Sequence, residues 1–248
     1  MVVVLPIDVN RLLIQWNDLD VAGDSYRVYR STVKHEGYEL VCVETTKPMY
    51  IDSNLNLMEN GRVYYYKVEV LKDGQVAHLT PPIHAEYNKA DGVARVVIRE
   101  SNIVLRMMNT PKVKVLLRKK TGYHCPECYN PVTKRVRFAD CSVCNGTGIK
   151  HGYHSPVEIR VSRDMSQLHN FPTLLDGEKT EMSAVNAWIT NYPILTSGDV
   201  MVDKMNQRFV VTNITPRYRA QHLIRQIFEL FPLEKGHPLY EKDVDLLE

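Results

Sequence analysis

A chain of 248 residues is long enough for about two or three small domains, each with a modest core of its own. Lys and Arg number 31 against 29 Asp and Glu, so no overall field steers the protein to nucleic acid or a membrane, and such binding has to come from local patches. The N-terminal Met-Val-Val-Val-Leu-Pro lacks a basic stretch leading into a long apolar one, and no apolar run reaches the roughly 18 residues that span a bilayer. Five cysteines, four of them in two CxxC pairs, do not make a disulfide framework. These features predict a soluble protein made in a reducing cytosol, with Cys42, alone in a strand-like run, as a buried apolar filler.

Residues 1–90 carry short period-2 segments separated by turn signals, which predicts an all-β sandwich of about six or seven strands. The strands fall at 11–16, 26–30, 38–43 and 49–52. After a polar turn closed by Gly61 comes a long strand in which Tyr64, Tyr66, Val68 and Val70 alternate. Asp73-Gly74 is a hairpin signal, and residues 75–79 form the return strand ahead of Pro81-Pro82. Over residues 5–88 this region resembles a fibronectin type III domain. The resemblance rests on Trp16 in an early strand, Tyr26-Arg-Val-Tyr-Arg-Ser31, and Asp52 followed by Gly61-Arg-Val-Tyr-Tyr-Tyr-Lys-Val68. It implies that Trp16 is the central core aromatic and that Tyr64 is a tyrosine corner, its ring buried and its hydroxyl bonded to upstream backbone. It also implies a spacer and docking module, with Tyr64 and Tyr66 in the core.

Residues 91–122 read as a connector. Positions 91–108 fit a helix, or a strand and a helix, packed beside the sandwich and ended by Asn109-Thr-Pro111. Residues 112–119 place Val113, Val115 and Leu117 on one side of a strand whose other face is wet.

Residues 123–154 hold the strongest motif. Cys125-Pro-Glu-Cys128 and Cys141-Ser-Val-Cys144 are separated by twelve residues, a spacing at which two CxxC knuckles present four thiolates tetrahedrally to one Zn²⁺. Asn145-Gly-Thr-Gly148 supplies glycines for the tight turn on leaving the metal. Four thiolates close the coordination shell, which points to a structural zinc; a redox CxxC pair and a catalytic zinc are the competing readings. Glu127 lies within the first knuckle. His124, His151 and His154 flank the module as alternative ligands or as surface and packing residues. Between Pro111 and His154 nine Lys or Arg face only Glu127 and Asp140. Lys112, Lys114, Arg118, Lys119, Lys120, Lys134, Arg135 and Arg137 are therefore candidate phosphate contacts, or else cations that offset an anionic four-thiolate centre.

Residues 155–235 read as strands at 157–161, 181–189, 199–203, 208–214 and 222–231, a compact antiparallel sheet or small β-barrel, with 166–177 as an inserted loop. A lone Asp199 or Asp203 fits a turn better than a general base, since no histidine or second carboxylate is spaced to pair with it. Residues 236–248 form a charged tail. The expected fold is thus mainly β, with a sandwich, a zinc-ribbon-like insertion and a C-terminal antiparallel barrel.

Arg118-Lys-Lys-Thr-Gly-Tyr-His-Cys-Pro-Glu-Cys128, Cys141-Ser-Val-Cys-Asn-Gly-Thr-Gly148 and His151-Gly-Tyr-His-Ser-Pro156 resemble zinc-containing structural proteins of tailed bacteriophages. Gly198-Asp-Val-Met-Val-Asp203, Arg208-Phe-Val-Val211, Gln226-Ile-Phe-Glu-Leu230 and Pro238-Leu-Tyr240 are similar to the small barrel of head-to-tail connector subunits. The resemblance implies a virion protein of the neck, an adaptor or stopper made in the host bacterial cytoplasm and assembled into a ring of about six or twelve copies. The ring would sit between portal and tail proteins, touch packaged DNA only passively, bind no membrane and catalyse nothing. The strand at 222–231 is then a candidate for pairing between subunits. Alternatives are a baseplate or fibre-attachment protein and a zinc-ribbon nucleic-acid-binding factor. Cys-Ser-Val-Cys-Asn-Gly-Thr-Gly also resembles the zinc motif of J-protein chaperones, which repeat it four times beside a J domain; both features are missing here. No phosphate-cradling glycine loop or nucleophile elbow is legible, so no enzyme is expected.

Overall fold

The computed structural model describes every residue except 17, 18, 20, 22, 59–61, 86, 88, 89, 139, 140, 176, 177, 243 and 245–248, and for 164–183 it describes the backbone alone. Gly61, Asp140, Gly177 and most of the tail beyond Lys242 therefore lie outside the described residues. The chain is mainly β and divides into two compact units: Met1–Val96 with Asn191–Ile194, and Val97–Thr190 with the described residues from Leu195 to Val244.

The first unit contains β1 (Val3–Asp8), β2 (Arg11–Gln15), β3 (Ser25–Ser31), β4 (Glu39–Thr45), β5 (Met49–Asp52), β6 (Tyr65–Lys72), β7 (Gln75–Leu79) and β8 (Ile83–His84). They build two antiparallel sheets, β1-β2-β5 and β4-β3-β6-β7, with β8 also pairing β6. Alternate residues of each strand point to opposite faces, so Tyr66, Val68 and Val70 of β6 are buried while Tyr65, Lys67 and Glu69 are wetter. Trp16, Leu12, Ile14, Val28, Tyr66 and Val68 share one cluster, in which the Trp16 and Tyr26 ring centroids stand 5.4 Å apart. Tyr64 is buried and its hydroxyl accepts the Asn56 backbone N–H at 3.4 Å, the upstream bond expected of it. One group of polar side chains at the edge of the cluster, Asp52, Tyr66 and Arg30, is satisfied internally. Tyr66 donates to Asp52 at 2.8 Å, and Arg30 Nη1 reaches both carboxylate oxygens of Asp52 at 3.1 and 3.0 Å. Burial, and then the Asp52 charge, push the Tyr66 phenol far above its ordinary value. Cys42 is half-buried against the cluster and is raised by that burial.

Strand β1 was not among the strands read from the sequence. Its apolar run lacks alternation and contains Pro6, a residue that a strand accepts at an edge, and β1 pairs with β2 alone.

A single helix follows, α1 (Gly92–Met107), with no separate strand before it. Asp91 caps it by accepting the Ala94 N–H at 2.6 Å. It ends where Asn109 turns to φ 47° and Thr110 Oγ1 bonds the Leu105 carbonyl at 2.8 Å. Ala94, Ile98, Ser101 and Leu105, at helical spacing, are its buried side. Within the second unit Ser101 accepts from Arg225 at 3.3 Å.

The second unit holds β9 (Lys112–Leu116), the short β10 (Tyr129–Asn130) and β11 (Arg135–Val136), then β12 (Val157–Arg160), β13 (Ser162–Leu175), β14 (Glu178–Ile189), β15 (Val200–Val202), β16 (Arg208–Arg219) and β17 (His222–Pro232). Seven of them form one antiparallel sheet in the order β12-β9-β15-β16-β17-β14-β13. Strands β12 and β13 stand at its opposite edges yet are joined through Val161 alone, so the sheet curls until its edges meet at that buried residue. Two expectations are corrected here. The stretch 166–177 is largely strand β13, which pairs with β14 along its length. Its sequence shows no alternation to read, and it contains Pro172, a residue that strands accept at an edge. Strand β17 lies between β16 and β14 and so cannot offer an edge over 226–230; the free edges are β12 and β13.

Candidate metal centre

Strands β9 and β12 are hydrogen-bonded neighbours, and everything from 117 to 156 is the connection between them. Loops beyond about 12–15 residues without structure of their own are uncommon in compact domains. This one is ordered by two devices, a stalk and a sulfur cage.

The stalk is held where it leaves the sheet. Asp199, buried, accepts the Arg118 N–H at 2.7 Å, the Thr196 N–H at 2.6 Å and the Thr196 hydroxyl at 3.1 Å. Burial raises the Asp199 carboxyl, and these donors work against the rise. Tyr153 donates to the Gly198 carbonyl at 3.1 Å and sits in a cluster with Leu116, Val200 and Val202. Arg118 bridges to Tyr153, and His124 to Ile149. Asp199 is thus a turn-fixing residue, as is Asp203, whose Oδ1 accepts the N–H groups of Met205 and Gln207, each at 2.9 Å.

The cage brings together the four cysteines of the motif. Cys125, Cys128, Cys141 and Cys144 are all buried, and their Sγ atoms lie within 4.8 Å of one another. Cys125 and Cys141 are 3.7 Å apart and Cys128 and Cys144 are 3.1 Å apart, well beyond the about 2.05 Å of a disulfide. A tetrahedral ion with metal–sulfur bonds of about 2.3 Å needs sulfurs about 3.8 Å apart. One pair matches that spacing and the other needs only a small separation. The cluster can therefore hold a metal ion, and it contains no histidine or carboxylate among the described residues.

Backbone geometry explains why these sulfurs converge. Asn145 donates to the Cys141 carbonyl at 2.6 Å and Thr147 to the Cys144 carbonyl at 3.1 Å, while the Gly148 N–H points at the Cys144 sulfur at 3.4 Å. The Cys125 N–H binds the Gly148 carbonyl at 2.9 Å, which sets the first knuckle against the second. Gly148 has φ 76°, and a Cβ there would stand 2.7 Å from Val136; Gly152, at φ 62°, would drive one into the Cys144 carbonyl. Burial raises the Cys128 and Cys144 thiols. Burial opposes the Cys141 thiolate too, yet the N–H groups of Cys144 and Val143 outweigh it and lower that thiol. A cation is what turns such a buried sulfur set from a desolvation cost into a bonded centre.

The flanking histidines lie outside the cage. His124 stacks flat on Tyr129, centroids 3.8 Å apart, and His154 is buried in the stalk, where its N–H binds the Leu117 carbonyl. Glu127 is exposed. The eight basic candidates do not form one surface. Lys119 is buried, Lys112 pairs with Glu158 at 2.5 Å, and Arg118 lies against Gly198. Lys134, Arg135 and Arg137 are exposed together on the β10–β11 hairpin beside Val132 and Phe138. The anchoring roles of Asp199 and Tyr153 were not legible, because both act across long sequence separations. The Gly198-Asp199 turn signal was their only trace.

No protein-family model matches the chain, and no curated protein matches it in sequence. A search of solved structures finds a likeness to "Titin kinase and its flanking domains" at 8% identity and a TM-score of 0.29, over 92% of this chain and 36% of that one. The chain thus spans about a third of that structure's length, and a likeness at this level bears on neither fold nor function. No helix among the described residues is long and apolar enough to cross a membrane.

Proposed function

We propose that this chain is a non-enzymatic structural protein of a tailed-phage virion, a ring-forming neck subunit of the adaptor or stopper kind. One structural zinc on Cys125, Cys128, Cys141 and Cys144 stiffens its long β9–β12 connection. The sulfur cage carries the zinc part of this reading: four soft thiolates at tetrahedral spacing suit Zn²⁺ and leave no open position for substrate or water. The assembly part is supported by the resemblance of residues 110–240 to connector subunits and by the form of the second unit, a curled sheet with two long hairpins, β13–β14 and β16–β17. The sandwich, fibronectin type III-like, then serves as an outward module, with portal and tail proteins as neighbours of the ring. The protein acts as a joint and seal, by packing alone.

The test is light scattering on purified protein with metal assayed, together with antibody labelling of virions. A ring of about six or twelve subunits carrying one zinc each, and label at the neck, is the expected result. Label on the baseplate or fibres would move the protein there, and absence from the virion would end the reading. A second reading, nucleic-acid binding, is favoured by one observation: Lys134, Arg135 and Arg137 are exposed on the zinc hairpin beside the exposed Phe138. It requires duplex or single-stranded DNA affinity that falls steeply with salt, whereas a packed ring is far less sensitive.

A further inference from the structure

Helix α1 carries two apolar stripes. Ala94, Ile98 and Leu105 are buried, but Val93, Val96, Ile103, Val104 and Met107, with Met108 just past the helix end, are exposed, Met107 to 80%. The second set recurs at three- and four-residue steps, so it lines one side of the helix and is not scattered apolar surface. An exposed apolar stripe of this kind, broken near its middle by Glu100, marks a contact surface. Arg95, Arg99 and Arg106 line one flank of it, a surplus of positive charge over the single Glu100. Arg99 and Arg106 are exposed and make no ion pair among the described residues.

One other exposed apolar patch of the chain has the opposite charge. On the β3–β4 hairpin Val33, Leu40 and Val43 are exposed, Val43 to 72%, and they stand among Glu36, Glu39 and Glu44 against Lys34. Among the other exposed apolar groups, those of the zinc hairpin lie among cations, Tyr218 lies between two arginines, and Val76 and Leu79 on β7 have Ala77 and His78 between them. Strand β4 is also a sheet edge, so this patch lies at the rim of its sheet.

We infer that α1 of one copy seats on the β3–β4 edge of a second copy, apolar stripe on apolar strand, with Arg99 and Arg106 facing Glu39 and Glu44. The two surfaces differ, so the contact is heterologous, and repetition gives each subunit one neighbour on either side. This deepens the ring proposed above by naming its two faces. The helix stripe is about 24 Å long and one helix wide. That is well below the about 800 Å² per partner of a stable interface, so a single contact is weak and closure supplies the stability.

Sedimentation of the whole zinc-loaded chain up to about 1 mM, with electron microscopy of the product, tests this. Wild type is expected to associate. Arg99→Glu with Arg106→Glu, or Glu39→Arg with Glu44→Arg, weakens association on the order of tenfold or more, and one chain carrying all four changes regains it. These side chains are exposed, so unchanged thermal melting verifies that each variant folds. A wild-type monomer at that concentration, reversals without effect, or reversals that the fourfold variant fails to rescue would each overturn the inference. A wild-type monomer that captures another virion protein through α1 would overturn it equally. Restored assembly into open strings instead of closed rings would uphold the contact and sink the neck ring, and virion labelling tests that reading separately.

Discussion

The sandwich and the cysteine module solve the same problem in opposite ways. Around Trp16 two sheets close on each other, and the order of residues 1–90 comes from burying Leu12, Ile14, Val28, Tyr66 and Val68. Between the stalk's two strands the chain is about as polar as a loop, and among the described residues its buried cluster is four cysteines with Tyr129 and Val143 packed on them. Apolar area holds the first together, in many small increments; in the reading proposed above, one centre of bonds to a metal holds the second. A core degrades gradually when trimmed, and a metal cage fails all at once.

Metal removal is therefore the sharpest way to break the comparison. Structural zinc sites contribute on the order of 10–16 kcal/mol of apparent binding energy, which in a module without a core is folding energy. With chelator, or in Cys144→Ser, hydrogen exchange is expected to lose protection at the amides of Cys125, Gly148 and Lys150, all bonded within the module. Protection in β6 should stay. Full protection of Gly148 in protein shown to be free of metal would falsify the view that the cage is what folds this segment.

Trp16→Ala asks the converse. Truncating a fully buried tryptophan costs about 3–5 kcal/mol, partly as lost transfer energy and partly as a cavity. Trp16 is 1% exposed at the centre of its cluster, so the loss should fall at the upper end. Denaturant titration followed by exchange in β2 and β6 measures it. A cost below about 1 kcal/mol would mean that the site repacks and that the sandwich is less dependent on its centre than its burial implies.

These two regions were also the most legible in the sequence, for reasons that mark where legibility stops. The alternation of Tyr64, Tyr66, Val68 and Val70 and the CxxC spacing are local patterns, and each survives into the structure unchanged. Strand β13 falls where the sequence suggests a loop, because its residues do not alternate in polarity, and β1 is hidden because it is apolar on both sides. The strand β17 looked like a free edge because neighbours in a sheet are chosen by topology, which no single strand encodes. The exposed stripe of α1 was hidden for the same kind of reason: a helix apolar on two sides reads as a buried helix until its surroundings are known.

The boundary between the two regimes lies at the stalk, and a titration probes it. Tyr153 belongs to the cysteine module by sequence, yet its ring is buried with Leu116, Val200 and Val202 of the sheet. Burial pushes its phenol up to about 12; nearby Arg118 pulls it down and Asp199 pushes it further up. The folded state thus holds this proton more tightly than the unfolded chain, which releases it near pH 10. The stabilisation is complete below pH 10 and is lost as pH rises to about 12, by about 3 kcal/mol in all. In Tyr153→Phe that loss disappears, while at neutral pH the variant gives up about 1 kcal/mol with the bond to the Gly198 carbonyl. The readout is the difference between wild type and variant in local stability of the β15 amides across pH 9–12. If the two curves stay parallel, Tyr153 does not anchor the stalk in the folded core, and the cage alone positions the module.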